Sequence, residues 1–484
     1  MTALTGIKPI TVFKYFEEIC NIPHGSGNTK AISDYLVGFA KEKNLKYIQD
    51  DLNNVIIFKP GTEGYEHSQP VIIQGHIDMV CEKESDFDFD FEKDGLQLIV
   101  DDNIITANKT TLGGDDGIAV AYALAILSDD KGVISHPPIE AVFTVDEEIG
   151  MLGAIDLDCS PLKAKTMINI DSEDEGILLV SCAGGVTAAC HLPFELEDAT
   201  GKTFYEIKVN NATGGHSGIE IIKESANATK VLARVLYAIS EKVDYRLVSI
   251  NGGLKDNAIP RQAVAVIAVD SDAKKEISSV VVELDKIIKA EYHGTDKEIF
   301  LTVHGADAVD SAMSEKSTRK IVNTIYNMPN GIMKMSQDIP NLVQTSLNVG
   351  ITKTTVGEVV CSFSVRSSVE SEKKELVSRL TSIMTLCGGY VEIQGDYPGW
   401  EYKQDSRLRD LMVKAYKRQY GSSPKIEAVH AGLECGIFAG KIPGLDCVSF
   451  GPQLDDIHTP SERMYIDSVE RSWEYLLKVL EMLK

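Results

Sequence analysis

The sequence predicts an α/β fold in which a mixed sheet is flanked by helices and is interrupted by an inserted α+β domain. The first observation is that short apolar runs, which favour buried strands, alternate with amphipathic, helix-like stretches. The strand-like runs are residues 71–73, 139–145, 167–170 and 447–450, and the helix-like stretches include residues 11–20, 28–43, 117–128 and 407–420. This alternation is typical of a sheet covered by helices on both faces.

The second observation is a change in sequence texture at two places. After residues 182–185 the strands become longer and alternate between apolar and polar residues, and near residues 397–400 the earlier pattern returns. With 484 residues, the chain is also too long for one compact core. We therefore expect a first domain formed by residues 1–185 and 397–484, interrupted by a second domain, the lid domain, formed by residues 186–396.

The lid domain shows a pattern that suggests two related halves. A strand at 262–269 followed by a helix at 273–290 parallels a strand at 358–365 followed by a helix at 371–386. Convergent strand and helix patterning would give the same similarity without a duplication. If the duplication is real, the domain presents two half-lids to one cleft.

Composition predicts a soluble, cytoplasmic protein. The formal net charge of -24 argues against nucleic acids and anionic membranes as partners, because both require a basic surface, whereas small peptides remain compatible with it. Charged residues interrupt the first 22 positions, so this stretch is expected to form an amphipathic helix and not a signal peptide. No long uncharged run spans a membrane. The nine cysteines show no paired C-x-x-C spacing, which favours reduced thiols.

Five residues with imidazole or carboxylate side chains each follow an apolar run or a glycine turn. They are His76, Asp115, Glu148, Asp171 and His458. A single histidine after a strand is usually an ordinary surface or core residue, but five such residues at strand ends are an improbable coincidence. Open α/β sheets place their chemistry at the carboxyl ends of strands. Nitrogen and oxygen ligands suit zinc, manganese or cobalt, so we expect a dinuclear metal site there.

The ligands stand in four motifs: Gly75-His76-Ile77-Asp78, Gly114-Asp115-Asp116-Gly117, Asp146-Glu147-Glu148-Ile149-Gly150 and Ile457-His458-Thr459-Pro460-Ser461-Glu462. These motifs resemble the aminoacylase and carboxypeptidase branch of the co-catalytic zinc exopeptidases. Four further segments are Gly214-Gly215-His216-Ser217-Gly218, Asn257-Ala258-Ile259-Pro260-Arg261, Thr345-Ser346-Leu347-Asn348 and His430-Ala431-Gly432-Leu433-Glu434-Cys435-Gly436. With them the chain resembles, essentially end to end, the bacterial aminoacyl-histidine dipeptidases, also called Xaa-His or beta-Ala-His dipeptidases.

The resemblance implies hydrolysis of unblocked dipeptides, of the Xaa-His type, by two divalent ions, with zinc expected and manganese or cobalt as alternatives. Asp115 would bridge the ions, with His76 and Asp171 completing one site and Glu148 and His458 the other. In relatives the peptide bond after the bridging aspartate is cis, so a cis bond is expected between Asp115 and Asp116.

Three further residues have roles in the implied mechanism. Glu147 would act as general base, taking a proton from water and passing it to the leaving amine. Asp78 would accept a hydrogen bond from the second ring nitrogen of His76 and fix its tautomer. His216 would donate to the developing oxyanion.

Substrate recognition is expected from four residues. Arg366 occupies the place where relatives bind the C-terminal carboxylate, and Arg261 is the second candidate. Glu434 would bind the free amino group or serve as a structural acceptor. Asn257 matches an asparagine that dimeric relatives supply, together with the histidine, from the partner's lid; a doubled lid would supply both from its own chain, so a homodimer is one of two possibilities.

Three positions depart from the family pattern. Gln344 stands where an acidic residue is expected, and Gly114 and Asp116 replace alanine and asparagine. These changes leave the metal ligands intact and bear on substrate preference.

Three other functions compete with this interpretation. A tripeptidase or an N-acyl amino acid deacylase of the same superfamily would keep every metal ligand and differ only in lid contacts. A non-catalytic binding relative would be expected to have lost Glu147 or a ligand, and neither is lost. A nucleotide-binding protein would require a phosphate-binding glycine loop after a strand, which this sequence lacks.

Overall fold

The computed structural model describes residues 3–270 and 273–484. Two compact units are present. The first unit contains the residues up to Ser181, Tyr402–Ala428 and Leu433–Lys484, and the second unit contains Cys182–Glu401 and Val429–Gly432. The short segment Val429–Gly432 belongs to the second unit, whereas the division expected from the sequence places it in the first domain.

The structure contains both helices and strands throughout. The helices are α1 Ile10–Cys20, α2 Lys30–Glu42, α3 Gly114–Leu127, α4 Leu152–Asp156, α5 Ala228–Ser240, α6 Lys274–Glu291, α7 Glu315–Asn327, α8 Glu370–Leu386, α9 Arg407–Tyr420, α10 Glu434–Lys441 and α11 Ile466–Met482. The strands are β1 Lys46–Gln49, β2 Val55–Lys59, β3 Val71–His76, β4 Leu98–Asp101, β5 Ile104–Ala107, β6 Ile139–Thr144, β7 Thr166–Asn169, β8 Ile177–Cys182, β9 Gly184–Pro193, β10 Leu196–Asp198, β11 Thr203–Asn210, β12 Arg246–Gly252, β13 Ala263–Val269, β14 Phe300–Gly305, β15 Ser311–Met313, β16 Gly331–Met335, β17 Val343–Thr354, β18 Glu358–Ser367, β19 Tyr390–Tyr397, β20 Lys425–Val429, β21 Asp446–Ser449, β22 Leu454–Asp455 and β23 Arg463–Tyr465. None of the helices in this part of the chain is long and apolar enough to cross a membrane.

The first unit is built on an eight-stranded mixed sheet, which confirms the predicted fold class. Its strand order is β1-β2-β6-β3-β7-β21-β8-β20. The central strands β6, β3, β7 and β21 are parallel to one another, whereas β1, β2 and β8 pair in the antiparallel sense. Because parallel strands end at the same edge of a sheet, the residues that follow β3, β6 and β7 meet at that edge.

The core of the first unit lies around α3. All fourteen residues of this helix are buried, and its sequence is apolar on every side after Asp116. Asp115 and Asp116 have non-helical backbone angles, so the regular helix begins at Gly117, as the sequence predicted.

The amphipathic helix expected over the first 22 residues is shorter than predicted. It begins at Ile10, after Pro9, and residues 3–9 form turns. A proline restricts the residue before it to extended conformations, so the helix cannot continue towards the N-terminus through Lys8. Met1 and Thr2 of the predicted stretch lie outside the described residues.

The second unit is built on a nine-stranded sheet whose connectivity repeats. The strand order is β14-β11-β13-β12-β17-β18-β9-β19, with β16 paired to β17. One half runs β11-α5-β12-β13-α6-β14, and the other runs β9-α7-β17-β18-α8-β19 with the extra strand β16 between α7 and β17, so both share the order βαββαβ apart from β16. The first half lies in the connection between β9 and α7, and the strand pair β10 and β15 joins the ends of that connection. The two strand and helix units noted in the sequence occupy equivalent places in these halves; a common origin of the halves stays a prediction.

One buried carboxylate holds both ends of the segment 213–226 in the second unit. Asp296 is fully buried, and its two oxygens accept hydrogen bonds from the backbone N–H groups of Thr213 (2.7 Å) and Ala226 (2.9 Å). Between these anchors the chain passes through Gly214 and Gly215, whose φ angles of 74° and 131° favour glycine. The loop that carries His216 is thereby fixed at its base.

We predict that Asp296→Ala destabilises the protein, because two buried N–H groups lose their acceptor. The expected loss in the free energy of unfolding is about 2 to 5 kcal/mol, and Asp296→Asn, which keeps one acceptor oxygen, should lose less. Urea denaturation followed by circular dichroism measures both. The exposed Asp198 accepts from Thr200 in a surface turn, so Asp198→Ala is the control and should change stability by less than about 0.5 kcal/mol. Equal unfolding midpoints for wild type and Asp296→Ala would contradict this role.

Candidate metal centre

The five predicted ligands converge at one edge of the first unit's sheet. His76 is the last residue of β3, Glu148 follows β6, and Asp171 follows β7. Asp115 lies in the first turn of α3, and His458 lies in the loop between β22 and β23. The parallel strands therefore deliver three of the ligands directly, and two loops add the others.

Asp115 lies between the two histidines. Its Oδ1 is 3.0 Å from Nε2 of His76, and its Oδ2 is 3.0 Å from Nε2 of His458. Nε2 of His458 is also 2.9 Å from Oε1 of Glu148, and Nε2 of His76 is 3.9 Å from Oδ1 of Asp171. Two groups result, one of His76, Asp115 and Asp171 and one of Asp115, Glu148 and His458, each with its ligand atoms within 4.8 Å of one another. Asp115 belongs to both.

The chemistry of these donor atoms fits divalent cations. Nδ1 of His76 lies 3.0 Å from the backbone oxygen of Asp78 and can donate its proton there, whereas Nε2 faces the carboxylates and could bind a cation in place of a proton. Burial raises the pKa of Asp171, and it would also raise that of Asp115, but hydrogen bonds from His458 and His76 hold the pKa of Asp115 below its ordinary value. A cation among these groups would offset the repulsion between them.

Glu147 lies beside the ligands but has a different environment. Its carboxylate lies within 4.8 Å of ligand atoms of His76 and Glu148. Burial raises the pKa of Glu147 to about 8, with Glu434, Glu148 and Asp115 adding to the effect and His76 opposing it. A carboxylate with a raised pKa can both accept and return a proton near neutral pH.

Asp78 fixes the turn that carries the two glutamates. Its Oδ1 accepts from the backbone N–H of Glu147 (3.0 Å), and its Oδ2 accepts from that of Glu148 (3.3 Å) and from Oγ of Ser26 (2.8 Å). The sequence predicted a bond between the Asp78 carboxylate and His76, but Nδ1 of His76 is closer to the backbone oxygen of Asp78 than to its Oδ1, at 3.4 Å. The Asp78 carboxylate therefore holds the backbone of Glu147 and Glu148 in place.

Two features fix the backbone at Asp115. The peptide bond between Asp115 and Asp116 is cis, which confirms the prediction. The buried carboxylate of Glu462 accepts hydrogen bonds from the backbone N–H groups of Leu112 (2.7 Å), Gly113 (3.2 Å) and Gly114 (2.8 Å). The sequence predicts no role for Glu462, although this residue ends the same motif as His458.

Glu434 is fully buried beneath the strand ends. Its Oε2 accepts from Nε2 of Gln74 (2.5 Å) and Oγ1 of Thr144 (2.6 Å), and burial raises its pKa to about 7. The contacts of Oε2 suit a structural acceptor, one of the two roles considered for this residue, whereas its buried Oε1 has no partner among the described residues.

His216 lies in a constrained loop of the second unit. Its Nδ1 accepts from the backbone N–H groups of Gly218 and Ile219, both at 3.2 Å, so the ring proton resides on Nε2. Burial and the nearby charge of Arg366 lower the pKa of His216, which keeps the ring neutral. Asn257 is exposed beside this loop, and its backbone oxygen accepts from Ser217 (2.8 Å). The second unit thus brings His216 and Asn257 together.

The two candidate arginines differ in burial. Arg366 is only 7% exposed, donates from Nη1 to the hydroxyl of Tyr397 (3.4 Å), and has no partner for Nε. Among the described residues no carboxylate forms an ion pair with it. Arg261 is exposed and donates to the backbone oxygen of Ala212 (3.3 Å). A buried guanidinium without an anion is the more suitable site for a carboxylate.

Comparison with known proteins identifies the family. Residues 72–482 match the family described as Peptidase family M20/M25/M40. The chain belongs to this family. It is 38% identical over 483 residues to the Cytosol non-specific dipeptidase of Escherichia coli (strain K12), covering 99% of both chains.

Two solved structures agree with the fold. The aminoacylhistidine dipeptidase of Vibrio alginolyticus matches with a TM-score of 0.93 and 34% identity, covering 99% of this chain and 97% of that one. A tripeptidase of Staphylococcus aureus matches with a TM-score of 0.56 and 17% identity, covering 99% of both chains, which shows a similar fold only.

We predict that Glu462→Ala weakens metal binding, because the backbone at Asp115 loses three hydrogen bonds to one carboxylate. Groups that orient ligands in this way typically contribute about 10- to 100-fold to metal affinity, and Glu462→Gln, which keeps an acceptor oxygen, should lose less. The proteins are dialysed against increasing concentrations of a chelator, and their metal content is measured by mass spectrometry. Metal retention should be highest in wild type, lower in Glu462→Gln and lowest in Glu462→Ala. The exposed Glu481 is the control position. Wild-type metal retention by Glu462→Ala would show that the turn holds its shape unaided.

Proposed function

We propose that this chain is a metal-dependent dipeptidase that hydrolyses unblocked dipeptides, Xaa-His peptides among them, in the cytosol. The observation that carries the proposal is the carboxylate of Asp115 placed 3.0 Å from imidazole nitrogens on both sides. The similarity to a protein named cytosol non-specific dipeptidase and to one named aminoacylhistidine dipeptidase supports the substrate class and the compartment.

Two divalent ions, zinc by preference, are the proposed cofactors. One ion would be held by His76 and Asp171, and the other would be held by Glu148 and His458. Asp115 would contribute to both sites. Bound there, the ions supply Lewis acidity that polarises a carbonyl group and makes water more acidic.

Glu147 is the proposed general base. Its carboxylate takes a proton from the water molecule that attacks the peptide carbonyl carbon, and as the C–N bond breaks it returns that proton to the nitrogen of the departing amine. Asp78 contributes by holding the backbone N–H of Glu147, so that the carboxylate keeps its direction during the transfer.

His216 is the proposed oxyanion donor. Because two backbone N–H groups occupy Nδ1, the proton on Nε2 is free to donate, and the neutral ring does not compete with Arg366 for an anion. Asn257, on the adjacent turn, is proposed to assist substrate binding. One unit carries both, so a single lid domain would supply the pair, either from the same chain or, in a homodimer, from the partner; the oligomeric state tests which.

Arg366 is the proposed anchor for the C-terminal carboxylate. Its burial and the absence of an acidic partner within the described residues leave its donors for a ligand. In this proposal residues of the first unit hydrolyse the peptide bond, and the second unit contributes Arg366 to bind a free C-terminus.

The test is a panel of dipeptides, tripeptides and N-acetyl amino acids given to the metal-loaded protein. Dipeptides should have the highest kcat/KM. Preferential cleavage of tripeptides or N-acetyl amino acids would identify one of the alternative activities, and no cleavage of any substrate would contradict the proposal.

We predict different failures for the base and the bridging ligand. Glu147→Ala should lose at least about 100-fold in kcat while keeping its metal, because only proton transfer is removed. Asp115→Ala should lose both metal and activity. Metal analysis of the purified variants decides, and less than about half the wild-type metal in Glu147→Ala would contradict this division of roles.

We predict that Arg366 and His216 separate kinetically. Arg366→Ala removes an ion pair present in both the ground and transition states, so KM should rise; His216→Ala removes a bond that strengthens as the oxyanion forms, so kcat should fall. Amidating the C-terminus of the dipeptide should cost wild type several-fold in kcat/KM and should cost Arg366→Ala little. Equal discrimination by both proteins would shift the anchor to Arg261.

A further inference from the structure

Four residues form a row across four neighbouring strands of the second unit. Ser346 on β17 lies opposite Arg366 on β18, Arg366 opposite Gly185 on β9, and Gly185 opposite Tyr397 on β19. Residues directly opposite one another in antiparallel strands point to the same face of the sheet. Arg366 and Tyr397 therefore share a face, and the residue between them has no side chain.

Gly185 makes room for the ring of Tyr397. A Cβ atom at this position would lie 2.5 Å from the Tyr397 hydroxyl and 2.6 and 2.7 Å from two of its ring carbons. Since the space is open, the phenol lies over Gly185 and its oxygen reaches Nη1 of Arg366 at 3.4 Å. Any other residue at position 185 would separate the phenol from the guanidinium.

A β-bulge selects tyrosine for this place. Gln394 pairs with Thr187, and Tyr397 pairs with Gly185. The two pairs are three residues apart along β19 but only two residues apart along β9, so β19 contains one extra residue. Without the extra residue, Asp396 would lie opposite Gly185, and its carboxylate would face Arg366. Instead Asp396 accepts from Nζ of the buried Lys373 (2.6 Å), which also donates to the backbone oxygen of Tyr397 (2.6 Å). Lys373 thus holds the Asp396 carboxylate away from Arg366 and fixes the backbone of Tyr397.

The other neighbours of Arg366 are also uncharged. Oγ of Ser346 lies 2.7 Å from Nε2 of the buried His430. Burial, Arg366 and His216 lower the pKa of His430 to about 3, so this ring is neutral at physiological pH. Ser346, His430 and Tyr397 therefore place no negative charge beside the guanidinium, and its charge is left for a ligand.

The hydroxyl of Tyr397 retains one unused donor. Its oxygen accepts from Arg366, so its proton points elsewhere, and no group in the described parts of the chain accepts it. Donation from a guanidinium also polarises a hydroxyl and strengthens it as a donor. Guanidinium and phenol together offer donors to both oxygens of one carboxylate.

We propose that Tyr397 is a second binding residue for the substrate carboxylate anchored by Arg366, donating its hydroxyl proton to one carboxylate oxygen. The inference rests on the proposed dipeptidase function and deepens it: the pair would recognise a free C-terminus, and an amide, which offers one acceptor oxygen and an N–H₂ donor, would lose the phenol's bond.

The test compares wild type with Tyr397→Phe, which keeps the ring over Gly185 and removes only the hydroxyl. KM for a free dipeptide should rise roughly 10-fold, near the lower end for a hydrogen bond to a charged group, with kcat little changed. The preference for the acid over the C-terminal amide should fall by the same factor. Tyr390→Phe is the matched control, since this exposed tyrosine on the same strand loses only a 3.5 Å contact with Glu358, and it should behave as wild type.

Gly185→Ala supplies an independent variant. The added methyl group displaces the phenol from Arg366 while leaving both side chains intact, so the acid preference should fall as in Tyr397→Phe. Adding Gly185→Ala to Tyr397→Phe should reduce that preference no further, because the hydroxyl is already absent. Additive losses of acid preference would show that the two positions act separately and would overturn the proposal.

Binding measured without turnover separates this inference from the dipeptidase proposal. Calorimetric titration of metal-loaded Glu147→Ala with the dipeptide and its amide, with and without Tyr397→Phe, reports the carboxylate site alone. A preference for the acid that Tyr397→Phe removes supports the inference even if wild type hydrolyses no dipeptide. Hydrolysis of dipeptides with an acid preference that Tyr397→Phe leaves unchanged, or no acid preference in either measurement, overturns it.

Discussion

The carboxylate of Asp115 lies within hydrogen-bonding distance of imidazoles on two segments far apart in sequence, and the arrangement of the first unit depends on this convergence. Both oxygens must be held in place for one side chain to serve two ligand groups, and displacements of about 0.5 Å are enough to impair such a site. The three backbone N–H groups bound by Glu462 fix the turn before Asp115, and buried α3 fixes the chain after it. The glycines at 113 and 114 are therefore part of the site, because the backbone itself must reach Glu462.

The candidate sites of the two units carry opposite charges. In the first unit, burial raises the pKa of Glu147 and of Asp171, and the charges of neighbouring carboxylates add to the effect. Cations would offset the repulsion between these groups. In the second, Ser346, His430 and Tyr397 place no negative charge beside one buried guanidinium, and an anion is needed to balance it. A guanidinium in this environment suits a free carboxylate, the group that an unblocked dipeptide carries at its C-terminus.

The sequence predicted the elements that follow regular periodicity and the ligands attached to them. His76, Glu148 and Asp171 were found because each follows an apolar run, and parallel strands bring such positions to one edge. Tyr397 was not found because its position depends on a bulge, which shifts the register by one residue and leaves no periodic signal. Glu462 was not found because its partners are backbone N–H groups, which any residue provides. Pro9 indicates the correct start of the N-terminal helix, because the restriction that a proline places on the preceding residue is local and visible in the sequence.

In the proposed function, the neutral rings of His216 and His430 leave binding of the substrate carboxylate to Arg366 and donation to the oxyanion to His216. The charge of Arg366 lowers the pKa of both His216 and His430, after the larger effect of burial, so the positive charge of this cluster remains on a single group. If either ring were protonated, it would compete for the substrate carboxylate and weaken the distinction between the anchor and the oxyanion donor. The backbone N–H groups that occupy Nδ1 of His216 have the complementary effect, because they leave only one nitrogen able to donate. In the proposed function one arginine therefore binds the anion and also keeps its neighbours neutral, and a lysine in its place would keep the charge but lose the planar set of donors that could serve both Tyr397 and a carboxylate.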